Sequence, residues 1–316
     1  MQESLVKVSK QFLQNCLGLK AGESLLIVTD EVKKELAESV FLAGKTLGAE
    51  PMLAVMTERE KSGQEPPKVI ASAMAAAQVV VCITEHSLTH TQARKAAAAA
   101  GARLATMPGI TSAMFLAGAI SADYANIKRV TERITGLLTH AEKVKINKSD
   151  YCLTFSIAGR TGIASTGVYL NPGESGNLPS GEAYIAPLEG TAEGQILVDA
   201  SISGIGKLAT PLLLTLAKGR LVKAEGETGE ILLSKLGEAE GRMLAEFGIG
   251  TNDKAKIIGV VLEDEKVYRT IHVAFGSNDT FGGNVSAGVH IDCVVREPDV
   301  WLDDRLMMKQ GQFQAD

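Results

Sequence analysis

The first half of the chain alternates short apolar runs with segments of helical spacing. SLLIVTD (24 to 30), PMLAVM (51 to 56), QVVVCIT (78 to 84) and RLATM (103 to 107) read as strands. Residues 31 to 50, PKVIASAMAAA and THTQARKAAAAAGA read as the helices between them. Strands that are apolar throughout are buried on both faces, so this alternation predicts an open parallel sheet covered by helices. A long amphipathic helix is expected over 121 to 147. Beyond about residue 150 the strands alternate apolar with polar positions and glycines multiply. Only EILLSKLGEAEGRMLAEFG (230 to 248) keeps helical spacing there. The expected fold class is an α/β N-terminal domain with an open parallel sheet (residues 1 to 147) plus a strand-rich α+β C-terminal domain (148 to 316).

Two strands of the second half carry polar residues on one face. Side chains alternate along a strand, so in TIHVAFG (270 to 276) Ile271, Val273 and Phe275 share one face and His272 lies on the other. In VHIDCVV (289 to 295) the apolar face is Val289, Ile291, Cys293 and Val295, which leaves His290 and Asp292 together. Pairing of these strands through the Gly-rich GSNDTFGGNVSAG would bring His272 beside His290 and Asp292. On the 230 to 248 helix, the stripe Leu232, Leu236, Ala239, Met243 leads on to Glu246. A carboxylate facing a core must be neutralised, paired with a base or bound to a metal. An ion pair with Arg242 or Arg160 is the structural alternative.

In the first half, EHSLTHT places His86 and His90 near the carboxyl end of a parallel strand, where ligands of open α/β sheets collect. His90 and Arg94, four apart on one helical face, are the functional candidates, with Ser87 or Thr89 as the expected helix cap. His140 fits a favourable helix terminus.

Composition narrows the field. A chain of 316 residues exceeds the size at which one core keeps growing, and 45% hydrophobic with 22% charged residues is ordinary for a globular protein. A net charge of −5 argues against a general nucleic-acid binder. No apolar run approaches the ~20 residues needed to span a bilayer, so neither nucleic acid nor membrane is expected as a partner, and a cytoplasmic location is. Cys16, Cys82, Cys152 and Cys293 are scattered without paired spacing, and each is expected to be a small buried hydrophobe. GIGKLA (204 to 209) fits the loose dinucleotide pattern, but Thr210 and Pro211 stop the helix that should begin there.

LTFSIAGR, NLPSGEAYIAP, AEFGIGTN, HVAFG and VHID, in this order over most of residues 150 to 295, carry a family likeness. The chain resembles the thermophilic aminopeptidase family, the aminopeptidase T and S metallopeptidases, and its relative 2,5-dihydroxypyridine dioxygenase. The first half is similar more loosely, through GLKAGESLLIV. The resemblance implies Glu182, Glu246, His272, His290 and Asp292 as metal ligands; periodicity alone had singled out all but Glu182. It also implies a homodimer.

For the peptidases it implies two ions, zinc or cobalt, with a metal-bound water attacking the scissile carbonyl and Glu182 or Glu246 assisting as ligand or base. Arg160, in the matching AGR segment, would bind a substrate carboxylate or pair with one of the glutamates, and Arg94 is a further substrate-binding candidate. The peptidases resemble one another in a tyrosine ligand between the two histidines, and GSNDTFGGNVSAG has none. That departure keeps a second reading beside the first. His272, His290 and Asp292 would form a two-histidine, one-carboxylate triad on a single Fe(II), with His90 as acid/base.

The leading expectation is thus a metal-dependent aminopeptidase acting on small peptides. The alternative is an Fe(II) ring-cleaving dioxygenase acting on a dihydroxylated aromatic or heteroaromatic. A non-catalytic protein with buried ion pairs is a third class.

Overall fold

A computed structural model describes residues 2–314 and divides into two compact units. The first comprises the chain up to Lys128 together with Thr166–Ser180, and the second Arg129–Ser165 together with the chain from Gly181 onward.

The first unit is built on a five-stranded parallel sheet in the order Glu50–Met56, Ser24–Asp30, Val79–Ile83, Arg103–Thr106, Ser175–Asn177. Val79–Ile83 and Arg103–Thr106 are buried at every position, as strands covered on both faces must be. Helices Gln2–Asn15, Lys34–Thr46, Lys68–Ala76 and Gln92–Ala99 belong to this unit. Gln92–Ala99 is capped by Thr91, whose hydroxyl accepts from the Arg94 amide at 3.2 Å, and not by Ser87 or Thr89. The expected sharing of a helical face by His90 and Arg94 is therefore corrected: His90 is an exposed residue of the turn before the helix.

The helix expected over 121 to 147 is two elements. Tyr124–His140 is helical, and Lys143–Lys148 is a strand whose Val144 and Ile146 are buried while Lys143, Lys145 and Asn147 are not. Period-two burial won over a continued helical stripe once the chain reached the second unit's core.

The second unit has two mainly antiparallel sheets. One has eight strands; the other runs Gly206–Lys207, Ser201–Ile202, His290–Arg296, Thr270–Gly276, Leu244–Gly250, Glu182–Ile185, Ile163–Ser165. The apolar faces of both contribute to a single core, in which Leu153, Phe155 and Ile196 of one meet Phe247, Ile271 and Val273 of the other. The Phe155 and Phe247 rings are edge-to-face at 5.5 Å. Cys16, Cys82 and Cys293 are buried as expected, but Cys152 is exposed because Leu153 and Phe155 take the inward positions of its strand.

The α/β-plus-strand-rich architecture matches the expected fold class, but the single cut after residue 147 is replaced by a discontinuous division. The helix changes unit at its first turns, and Thr166–Ser180 adds an edge strand to the first sheet through Ser175–Asn177. No helix among the described residues is long and apolar enough to cross a membrane.

Candidate metal centre

The polar face of the seven-stranded sheet carries the residues singled out above. Thr270–Gly276 and His290–Arg296 pair antiparallel, with Ala274 opposite Asp292 and Gly276 opposite His290. Leu244–Gly250 lies on the other side, with Glu246 opposite Ala274 and Gly248 opposite His272. Glu182–Ile185 follows, with Glu182 opposite Gly250 and Tyr184 opposite Gly248. Small residues thus alternate with chemical ones along these rows, and the space they leave is where the larger side chains converge. At Gly248 a Cβ would lie 2.0 Å from His272 Nε2, so only glycine admits that imidazole.

Glu246 reaches this face from a strand. The helix expected over 230 to 248 ends at Leu236, followed by a cap at Gly237, a 3₁₀ turn at Ala239–Arg242 and the strand Leu244–Gly250. The partner considered for it, Arg242, donates instead to the Gly237 carbonyl at 2.7 Å.

The donor atoms are close. His272 Nε2 lies 3.0 Å from Glu246 Oε1 and 3.7 Å from Glu182 Oε2. His290 Nε2 lies 3.4 Å from Asp292 Oδ1 and 3.5 Å from Glu246 Oε2. The other ring nitrogen of His290, Nδ1, donates to the Ser277 carbonyl at 2.8 Å, which orients the ring and aims Nε2 at the carboxylates. His272 is fully buried, whereas the His290 side chain is 31% exposed, so the cluster is accessible on the His290 side.

Two residues not anticipated complete it. The Lys266 ammonium, on a side chain 1% exposed, donates to Glu182 Oε1 at 2.6 Å and also to Glu265 Oε1. In the sequence Glu263 to Lys266 is a charge run of the kind that is usually solvated, so it offered no signal. Tyr184 and Phe281 were also missed. Their rings are edge-to-face at 5.5 Å, and Phe281 is edge-on to His290 at 5.9 Å. Strand alternation carried on from Glu182 would have found Tyr184, two residues along the same strand and on the same face.

The electrostatics follow from crowding. Burial opposes a charge on His272, but the hydrogen bond it donates to Glu246 and the charges of Glu182, Glu246 and Asp292 prevail and raise its pKa to about 9. His290 is likewise disfavoured by burial yet raised to about 10, chiefly by Asp292. Burial works to raise Asp292, and His290, His272 and Lys266 nevertheless bring it down to about 2. Glu265 is pushed up to about 8 by burial, against the pull of Lys266. Burial drives the Tyr184 hydroxyl well above its usual range, with Glu246 and Glu182 adding to it.

These residues fit a divalent ion. Four carboxylates, Glu182, Glu246, Glu265 and Asp292, face one ammonium, and Glu182 Oε2 is a buried oxygen without a hydrogen-bond partner. Two sets of three donors each gather within 4.8 Å: Glu246, His290 and Asp292, and Glu182, Glu265 and His272. Donors sharing one ion at about 2.1 Å stand about 3 to 4 Å apart, and the 3.4 and 3.5 Å from His290 to Asp292 and Glu246 and the 3.7 Å from His272 to Glu182 fall in that range.

The remaining candidates have other surroundings. Arg160 pairs with Glu189 at 2.5 Å, not with a glutamate of the cluster. Glu189 also accepts from the Asn284 amide and from Asn278 Nδ2, so this pair braces the segment between the two histidine strands. Arg94, in the first unit, donates to the Thr89 carbonyl at 2.8 Å and to Ser175 Oγ at 3.0 Å. His90 also belongs to the first unit. His86 lies 3.6 Å from Glu58, and His140 Nδ1 lies 2.7 Å from the Gly136 carbonyl.

An α/β unit joined to a two-sheet unit that gathers histidines and carboxylates on one face is an arrangement able to hold a divalent ion. The family model for NicX, 2,5-dihydroxypyridine 5,6-dioxygenase, matches residues 4–315, and the chain belongs to that family. Among solved structures it is similar to 2,5-dihydroxypyridine dioxygenase from Pseudomonas putida KT2440, with a TM-score of 0.85 and 16% identity over 100% of this chain and 98% of that one. It is also similar to AmpT from Thermus thermophilus, with a TM-score of 0.73 and 16% identity over 99% of each chain. No curated protein matches it in sequence.

Proposed function

We propose that the protein is a mononuclear metal-dependent dioxygenase that opens the ring of a dihydroxylated aromatic or heteroaromatic compound. The observation that carries this reading is an aromatic wall on the accessible side of the donor set: Phe281 stands edge-on to His290 and packs in turn on Tyr184. Planar rings stack against such surfaces, whereas a peptide backbone gains little from them. Membership of the 2,5-dihydroxypyridine 5,6-dioxygenase family supports the same substrate class.

His272, His290 and Asp292 are the ligands in this reading, with Glu246 bridging toward both histidines. A bound Fe(II) supplies the one-electron chemistry with O₂ that side chains lack. The protein's part is positioning and proton handling. The Ser277 carbonyl holds His290 Nδ1–H so that Nε2 stays a donor, and Tyr184 and Phe281 orient the ring. Glu265 is held by the Lys266 ammonium, while burial raises its carboxyl above the usual range. His90 is carried forward as a further acid/base candidate: His90→Ala should lower turnover and leave metal content unchanged.

The aminopeptidase reading stands second, favoured by the presence of two three-donor sets in place of one. The test is O₂ uptake by Fe(II)-reconstituted protein offered 2,5-dihydroxypyridine and related diols. Uptake matched to loss of the substrate's ring absorbance is the expected result. Iron-loaded protein that consumes no O₂, while metal-loaded protein releases N-terminal residues from a peptide panel, would overturn the dioxygenase proposal in favour of the peptidase.

A further inference from the structure

Of the two donor sets, one already contains a cation. Lys266 Nζ bonds to Glu182 and Glu265, two of the three residues of the set completed by His272, whereas no ammonium or guanidinium bonds to Glu246, His290 or Asp292 among the contacts described. We propose that Lys266 is a resident cation that takes the second metal position, so that the centre holds one divalent ion where its carboxylates would otherwise gather two. The inference rests on the metal-site reading above and adds a reason for its stoichiometry.

Lys266 is built into place. Its backbone amide donates to the Glu263 carbonyl at 3.0 Å, and its carbonyl accepts from the Asn252 amide at 2.9 Å. The neighbouring strand makes room for this segment. At Gly250 a Cβ would lie 2.0 Å from the Val267 carbonyl oxygen and 2.8 Å from the Lys266 carbonyl carbon. Asp264 and Glu263 tie the preceding loop down by accepting from the amides of Ile258, Gly259 and Lys256. A lysine held at both ends of its peptide and buried to its tip differs from a surface lysine that swings toward the nearest carboxylate.

The chemical consequence concerns reaction type. An ammonium compensates carboxylate charge as an ion does, but it offers neither an open coordination position nor a bound water of lowered pKa. With Lys266 in place on Glu182 and Glu265, the two-ion clamp that activates water for hydrolysis cannot assemble, and chemistry is confined to one ion held by His272, His290 and Asp292 with Glu246 beside them. Glu182 becomes the ligand of the ammonium first, which accounts for one of its oxygens being bonded at 2.6 Å and the other being without a partner.

The experiment is a metal count on the full-length chain, stripped and reconstituted with excess Mn(II), by elemental mass spectrometry and electron paramagnetic resonance. Wild type should hold one ion per chain with the signal of an isolated Mn(II). Lys266→Met should hold two, with the signal of a coupled pair, and Lys266→Arg should stay at one. Two coupled ions in the wild type, or one ion in a folded Lys266→Met, would overturn the proposal while leaving the metal site standing. No ion in the wild type would overturn the site reading itself. Should Lys266→Met fail to fold, raising Mn(II) over the wild type decides: a coupled pair sinks the proposal, and an isolated signal at saturation upholds it.

Discussion

At the scale of single residues, each side chain in the cluster answers to its neighbours' charge. His272 and His290, with pKa values raised to about 9 and about 10, hold protons at neutral pH, and a metal has to displace them. Metal uptake should therefore release protons, and affinity should climb as pH rises from 7 toward 9. Calorimetric titrations in buffers of different ionisation enthalpy measure this directly, and uptake without proton release would contradict it. Stability without metal runs the opposite way. These raised pKa values contribute fully below the unfolded value of about 6.5, and the contribution is lost as pH rises through 9 and 10. His290→Ala and Asp292→Ala should each lower metal affinity by more than ~100-fold, since loss of mere supporting partners already costs 10- to 100-fold. Circular dichroism should show the fold retained, and normal metal occupancy in both variants would remove them from the site.

At the scale of elements, the two histidine strands were legible because period two is unambiguous when apolar and polar positions alternate without a break. Glu246 was selected by spacing that belongs to a helix, although it sits on a strand. Leu232, Leu236, Ala239 and Met243 fit the helical stripe by coincidence, and the turn after Leu236 breaks it. The better signal lay in AEFGIG, where Phe247 and Ile249 face the core and Glu246, Gly248 and Gly250 the other side. Lys266 and Glu265 were beyond reach, because their burial depends on a loop packing beside Gly250, a contact that local sequence does not encode. Gly248 offers the sharpest test of this face. Gly248→Ala places a methyl group against the His272 ring, on a backbone that any residue can adopt. It should cost about 1 to 3 kcal/mol through overpacking. Metal affinity should fall with it, read as reduced metal content in a folded protein. A fully loaded Gly248→Ala would mean that His272 is not held against that position.

At the scale of the whole molecule, the sequence conveyed two units and their classes, while the cut between them was obscured by a segment that leaves and returns. Ser175–Asn177 is only three residues long and lies in a turn-rich stretch, so no period could mark it as an edge strand of the first sheet. The division nonetheless has a thermodynamic consequence, because all the donors, Glu182, Glu246, His272, His290 and Asp292, lie in the second unit together with Glu265 and Lys266. A ligand that binds only the folded form stabilises it by about 2.7 kcal/mol when its free concentration is 100 times the dissociation constant. For a unit of this size that corresponds to roughly 5 to 10 °C in unfolding temperature. Calorimetry with and without chelator should resolve two transitions, of which metal removal lowers the one belonging to the second unit and leaves the other in place. Equal shifts of both transitions would show that the units unfold together. No shift in either, with the metal confirmed to have left, would return the cluster to a set of buried ion pairs.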